Sequence, residues 1–233
     1  MSTLKLDAYI PSLSEYKKYK EKYPAFMSAD LSKFAKKQFT SKGDYKGKCT
    51  FPLRSIRSND TKRFWFGSAN GNLTTNYSYT KSTGLRVAFN IKYDPGDTIV
   101  KKCKLQKRTT NVLDYNTEDN KKVTSVAPIV KFGKLDCIWL NKEDCESGKA
   151  NYMELWTLDV LERALPFSKF NEEPDFGKAK NLLFQCEIAL KMNCSKKELD
   201  MIIPTEFNSE DNYEKATPIL NLEKNIDVYE NEQ

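Results

Sequence analysis

Two arginines set inside apolar, strand-like runs constrain this chain more than any other feature. Arg54 sits in Cys49-Thr-Phe-Pro-Leu-Arg-Ser55, and Arg86 sits in Gly84-Leu-Arg-Val-Ala88. Between them lies Ile56 to Thr83, rich in Ser, Asn, Thr and Gly. The layout predicts two core strands that hold up a polar surface loop. It reads as a scaffold for recognition more than as an active site.

The 233 residues suffice for one large domain or two small ones, and 39% hydrophobic with 30% charged residues predicts a folded, polar, soluble protein. No run approaches the roughly 20 apolar residues of a membrane span. The opening Met1-Ser-Thr-Leu-Lys-Leu-Asp lacks the apolar core of a secretory signal, so the expected location is the cytoplasm. Cys49, Cys103, Cys137, Cys145, Cys186 and Cys194 are scattered without a C-x-x-C pair, and reduced thiols are expected. There is no histidine. Ser-His-Asp triads, Cys-His dyads, histidine zinc sites and histidine acid–base chemistry are thereby excluded.

Charge is divided along the chain. Residues 1–110 hold 23 basic and 8 acidic residues, whereas residues 111–233 hold 15 and 24. A basic face for nucleic acid is one reading; two solvated, oppositely charged halves that dock on each other is the other.

Local signals predict the elements. Ser12-Leu-Ser-Glu15 reads as a capping box opening a helix to about Lys22, with Leu13, Tyr16 and Tyr19 inward. A second helix is expected over Asp30 to Gln38, with Leu31, Phe34 and Ala35 inward. Strands are expected at Phe51 to Ile56, Arg63 to Phe66, Asn72 to Tyr79 and Leu85 to Ile91, with Asn70-Gly71 as a type I′ turn. A weak strand over Thr98 to Thr110, a hairpin around Gly133 and a strand at Tyr152 to Leu158 follow. Lys178 to Met192 has Leu182, Leu183, Cys186, Ala189 and Leu190 on one helical stripe. Ser195-Lys-Lys-Glu198 is a second capping box. Strands and helices without a βαβ rhythm argue an α+β fold.

Residues 8–92 resemble a family of uncharacterised bacterial domains. Its Leu-Ser opening, Leu-Arg-Ser-Pro strand, glycine hairpin and Gly-Val-Arg-Pro-Ala closing segment are matched by Ile10 to Tyr16, Phe51 to Ser55, Ser68 to Asn72 and Gly84 to Ala88. Ile56 and Val87 replace the two family prolines, and Pro52 stands where an aromatic is usual. Residues 128–205 are similar to the front half of the same family, through Phe132-Gly-Lys134, Ile138-Trp-Leu140, Leu155 to Leu161 and two helices. The resemblance implies a C-type-lectin-like fold, shared with formylglycine-generating enzymes, with its halves in permuted order and a bacterial or phage origin. The implied division is a back half at 1–94, connecting strands at 95–127, a front-half segment at 128–205 packing on the back half, and an acidic tail at 206–233.

Candidate contact residues are Asn59, Arg63, Trp65, Asn70, Asn72, Asn76, Tyr77 and Tyr79. Tyr, Ser and Asn make an adaptable recognition surface. An ordinary polar hairpin is the competing reading. Phe64, Trp65 and Phe66 cannot share one face of a strand, so one set must meet another layer, a ligand or a partner. Arg54 and Arg86 are expected to support the loop by bonding carbonyls or carboxylates. Only Asp60 is acidic between Ile56 and Thr83, too few oxygens for a calcium-dependent lectin site. The cysteines read as packing residues and not as the copper-thiolate pair of the implied oxidase relatives. The expected function is non-enzymatic binding of a protein partner, without metal or cofactor. Nucleic-acid binding or inhibition through the basic half is the first alternative, and a histidine-free enzyme built on clustered carboxylates is the second.

Overall fold

In the computed structural model, which describes residues 3–38, 47–57, 60–77, 83–114, 119–164 and 176–208, the first helix is Leu13–Lys22. It starts as its sequence predicts. Ser12 accepts from the Glu15 amide, Glu15 accepts from the Ser12 amide, and the capping box closes. Leu13, Tyr16 and Tyr19 form its buried face. A short helix, Pro24–Met27, follows with proline in its first turn. The helix expected over Asp30 to Gln38 is mostly absent. Ala29–Leu31 is a strand, parallel to Asp159–Val160 and antiparallel to Lys48–Cys49, and only Ala35–Gln38 is helical. Pairing with strands distant in sequence overrides local helix preference, and Phe34 is exposed instead of inward.

The largest sheet runs in the order Ala88–Lys92, Tyr152–Thr157, Leu135–Trp139, Asp119–Phe132, Lys104–Asp114, antiparallel throughout. Gly133 turns between two of these strands at φ 57°, and a Cβ there would meet the Asn193 carbonyl at 2.5 Å. The boundary expected at 127/128 falls inside the continuous strand Asp119–Phe132. A second sheet holds Phe51–Arg57, Asp60–Gly67 and Leu73–Tyr77. Its Asn70-Gly71 connection is not a two-residue type I′ turn. The Gly71 amide donates to the Ser68 carbonyl and the Ser68 amide to the Asn72 carbonyl, with Gly71 at φ 80°, which is a three-residue connection closed by a left-handed glycine.

The strand expected over Leu85 to Ile91 breaks at Arg86-Val87. Gly84–Leu85 pairs with Glu162–Arg163, whereas Ala88–Lys92 joins the large sheet. Thr205–Asn208 pairs antiparallel with Thr3–Leu6, so the segment read as a tail from 206 begins inside a strand. The long helix is Phe176–Asn193, and the Ser195 capping box opens Lys196–Leu199.

Both halves of the sequence build one hydrophobic cluster, from Leu6 to Phe207. Tyr19 meets Trp156 edge-on at 5.6 Å, and Phe89 packs on Phe132 at 4.9 Å. The architecture is α+β, with antiparallel and mixed sheets flanked by helices. No helix among the described residues is long and apolar enough to cross a membrane.

Candidate functional site

Arg54 and Arg86 make their contacts inside the molecule. Arg54 donates to the Ile10 carbonyl at 3.0 Å and grips Glu15 with both Nη atoms, at 2.8 and 2.9 Å. Burial works to raise the Glu15 carboxyl, but the Arg54 charge and hydrogen bonds from Arg54 and Ser12 hold it below the usual glutamate value. Arg86 is fully buried and donates to the carbonyls of Thr157, Met27 and Phe26 at 2.8, 3.0 and 2.9 Å. Burial lowers its pKa to about 10, which leaves it charged at neutral pH.

The predicted contact residues separate. Trp65 is 1% exposed, and Phe64 and Phe66 are buried with it, because their strand lies mid-sheet with packing on both faces. Asn72 is also buried: its amide donates to the Leu113 carbonyl at 2.5 Å and accepts from Lys20 Nζ at 2.9 Å. Neither Trp65 nor Asn72 is available to a partner, which corrects the expectation for both. Asn70 is half-buried and its Oδ1 accepts from the Asn72 amide at 3.1 Å, so it shapes the turn. Arg63 is half-buried. Asn76 and Tyr77 belong to Leu73–Tyr77, but their side chains, like Asn59 and Tyr79 altogether, lie outside the described residues.

The fold gathers a polar cluster that sequence reasoning missed. The Tyr19 hydroxyl donates to Glu154, and Tyr9 reaches Asn90 Oδ1 at 3.4 Å. Burial, opposed by the Tyr19 hydrogen bond and aided by the Glu15 charge, pushes Glu154 up to about 7. Such a carboxyl exchanges its proton near neutral pH. It is wedged between the first helix and Tyr152–Thr157, away from the cleft described below. No disulfide joins the six cysteines, and burial pushes Cys137 and Cys186 well up and Cys194 to about 12. Among the described residues no group of three or more Cys, Asp and Glu is placed to hold a metal ion.

A row of exposed apolar side chains lies on Phe176–Asn193. Leu182, Leu183, Cys186, Ala189 and Leu190 are buried, as their spacing predicts. Phe184, Ile188 and Met192, four residues apart, form a second stripe that is 60%, 41% and 64% exposed. A helix apolar on both sides ordinarily has both sides covered. At its C-terminal end opens a cleft of about 350 Å³, lined by Met192 and Phe34 at the rim and by Asp136, Asp159 and Glu162. Burial raises Asp159, assisted by the Asp30 charge, and burial alone raises Glu162. Neither carboxylate has an ion-pair partner among the described residues, whereas Asp136 has Lys131 at 3.7 Å. Lys33 and Lys134 also line the cleft, and the Arg108 and Arg86 charges act on Asp159 against its burial.

Searches of family models, curated proteins and solved structures return no match to this chain.

Proposed function

We propose that the protein is a non-enzymatic recognition module that binds a protein partner across the outer face of Phe176–Asn193 and the adjoining cleft. The exposed stripe of Phe184, Ile188 and Met192 carries this reading. Solvent-facing helix positions spaced this way are ordinarily polar, and an apolar row rimmed by charge marks an interaction surface. The partner has apolar side chains for the stripe and a lysine or arginine for the cleft, where Asp159 and Glu162 are half-buried and form no ion pair among the described residues, although the Arg86 and Arg108 charges act on Asp159. Changing Phe184, Ile188 and Met192 together to serine is expected to weaken capture of that partner by on the order of 100-fold. Size-exclusion chromatography and a chain ending at Asn208 distinguish a second copy, or the protein's own residues 209–233, as the occupant.

The scaffold belongs to the same proposal: a C-type-lectin-like frame with its halves in permuted order. The order of the motifs around Arg54 and Arg86 supports it, as does the reach of Arg86 from one half to the Thr157 carbonyl in the other. Limited proteolysis is expected to release no independently folded half. Two stable halves, each with its own cooperative unfolding, would count against a single permuted domain.

A further inference from the structure

The second surface is the edge of the large sheet. Lys104–Asp114 is its outermost strand, paired with Asp119–Phe132 on one side and with no strand on the other among the described residues. The register runs without a shift from Lys104↔Ile129 to Asp114↔Asp119, so no bulge bends this edge away. The Leu113 carbonyl accepts from the Asn72 side chain, which places it on the free side of the strand. Backbone groups of an antiparallel strand alternate in direction. The N–H and C=O of Leu105, Lys107, Thr109 and Asn111 therefore point the same way as those of Leu113. None of these eight groups has a partner among the described residues.

The side chains around this edge choose the partner. No Asp or Glu occurs from Thr98 to Leu113, a stretch with Lys101, Lys102, Lys104, Lys107 and Arg108, and Lys121 and Lys122 lie across the ladder. Arg108 is bound to Asp30 at 2.9 Å, but the six lysines are exposed and have no ion pair among the described residues. Leu105, 73% exposed, and Val126, 53% exposed, stand on the solvent face of the ribbon. Lysines along a long edge oppose pairing with a second copy, since like charges would meet. The same lysines attract an acidic strand. Open rungs at strand spacing match the amides of a peptide, and no aromatic residue lies between 98 and 113 or 119 and 131 to stack a base.

We propose that the free edge of Lys104–Asp114 docks an extended acidic protein segment, which adds to the sheet as a further strand. The segment's backbone pairs with the groups of Leu105 to Asn111, its carboxylates face the lysines, and an apolar residue covers Leu105 and Val126. This site is separate from the helix stripe and does not depend on it.

The test is fluorescence anisotropy with the full-length protein. The probe is a labelled peptide of about ten residues built of Glu-Glu-Val-Thr repeats, which puts carboxylates and uncharged side chains on both faces of the added strand. Controls are the same peptide with Lys for Glu, the same peptide N-methylated at alternate amides, and single- and double-stranded DNA. The acidic peptide is expected to bind and the lysine peptide not to bind. N-methylation is expected to weaken binding at least about tenfold, because it removes the ladder donors and keeps the charge. Lys104→Glu with Lys107→Glu, both at exposed positions, is expected to weaken binding by at least as much while thermal unfolding stays unchanged. Thr109→Pro removes one outward donor and gives a second, uncharged variant expected to bind less. Equal affinity for the methylated peptide, no binding of the acidic peptide, or tighter binding of DNA than of the peptide overturns the proposal.

Discussion

Replacing Arg86 with methionine is expected to cost about 3 kcal/mol or more of folding stability, a large part of what a domain possesses. The side chain is wholly buried, and its planar fork bonds three carbonyls on two segments, Phe26 and Met27 beyond the first helix and Thr157 at the end of a sheet strand. The guanidinium also lies 5.2 Å from the Phe51 ring and 5.5 Å from the Trp156 ring. Methionine matches the length of the stem and removes the cost of burying a charge. It leaves three carbonyls in the core without donors, each worth about 1–3 kcal/mol. Lysine at this position is expected to be nearly as harmful, since one ammonium cannot reproduce the fork. Urea unfolding of Arg86→Met and Arg86→Lys checks this, and wild-type midpoints for both would show that the network contributes little.

The second large effect is a pH dependence centred on Glu154. Its carboxyl is raised from an ordinary glutamate value to about 7, so between those values the folded state holds a proton that the unfolded state has released. Stability must then fall as pH rises through this window, and the loss is complete above the folded value. The difference corresponds to about 3 kcal/mol at most. The charges and hydroxyls around it are Tyr19, Glu15, Lys18 and Arg54, with Tyr9 and Tyr152 close by. Glu15 works in the opposite sense and lower down, because Arg54 and Ser12 depress it: its contribution is present above its unfolded value and lost in acid. Asp159 and Glu162 are raised like Glu154 and add to the same slope. Glu154→Gln isolates the one carboxyl, because glutamine keeps an acceptor for the Tyr19 hydroxyl and cannot ionise. Denaturation at pH 5 and pH 8 is expected to show a smaller loss in Glu154→Gln than in wild type. Parallel losses in both proteins would assign the dependence to other groups.

What could be read from the sequence was mostly local. The capping boxes at Ser12 and Ser195, the glycine turn at Gly133 and the inward stripe of Phe176–Asn193 depend on residues a few positions apart, and each forms. Ala29–Leu31 was not legible, since its strand character comes from Asp159–Val160 far along the chain. Alternation at Phe64 to Phe66 left another layer, a ligand or a partner open; the covering layer is the protein itself, so Trp65 is core. The polar hairpin looked free because nothing local announces that Asn72 reaches Lys20 and Leu113. Phe184, Ile188 and Met192 went unread, although they too stand at helical spacing, because only the packing reveals which of two apolar stripes faces out. Strand order cannot be read from composition at all, and the open edge at Lys104–Asp114 follows from order alone.

One comparison locates the contact face most directly: affinity capture from cells that contain the protein, with wild type, the Phe184→Ser, Ile188→Ser, Met192→Ser variant, and an Asn70→Ala, Tyr77→Ala, Tyr79→Ala variant side by side. Wild type and the hairpin variant are expected to retrieve the same protein in similar amounts, and the helix variant to retrieve little of it at unchanged thermal stability. Retention by the helix variant with loss in the hairpin variant would place the contact face on the hairpin and rule out the helix stripe.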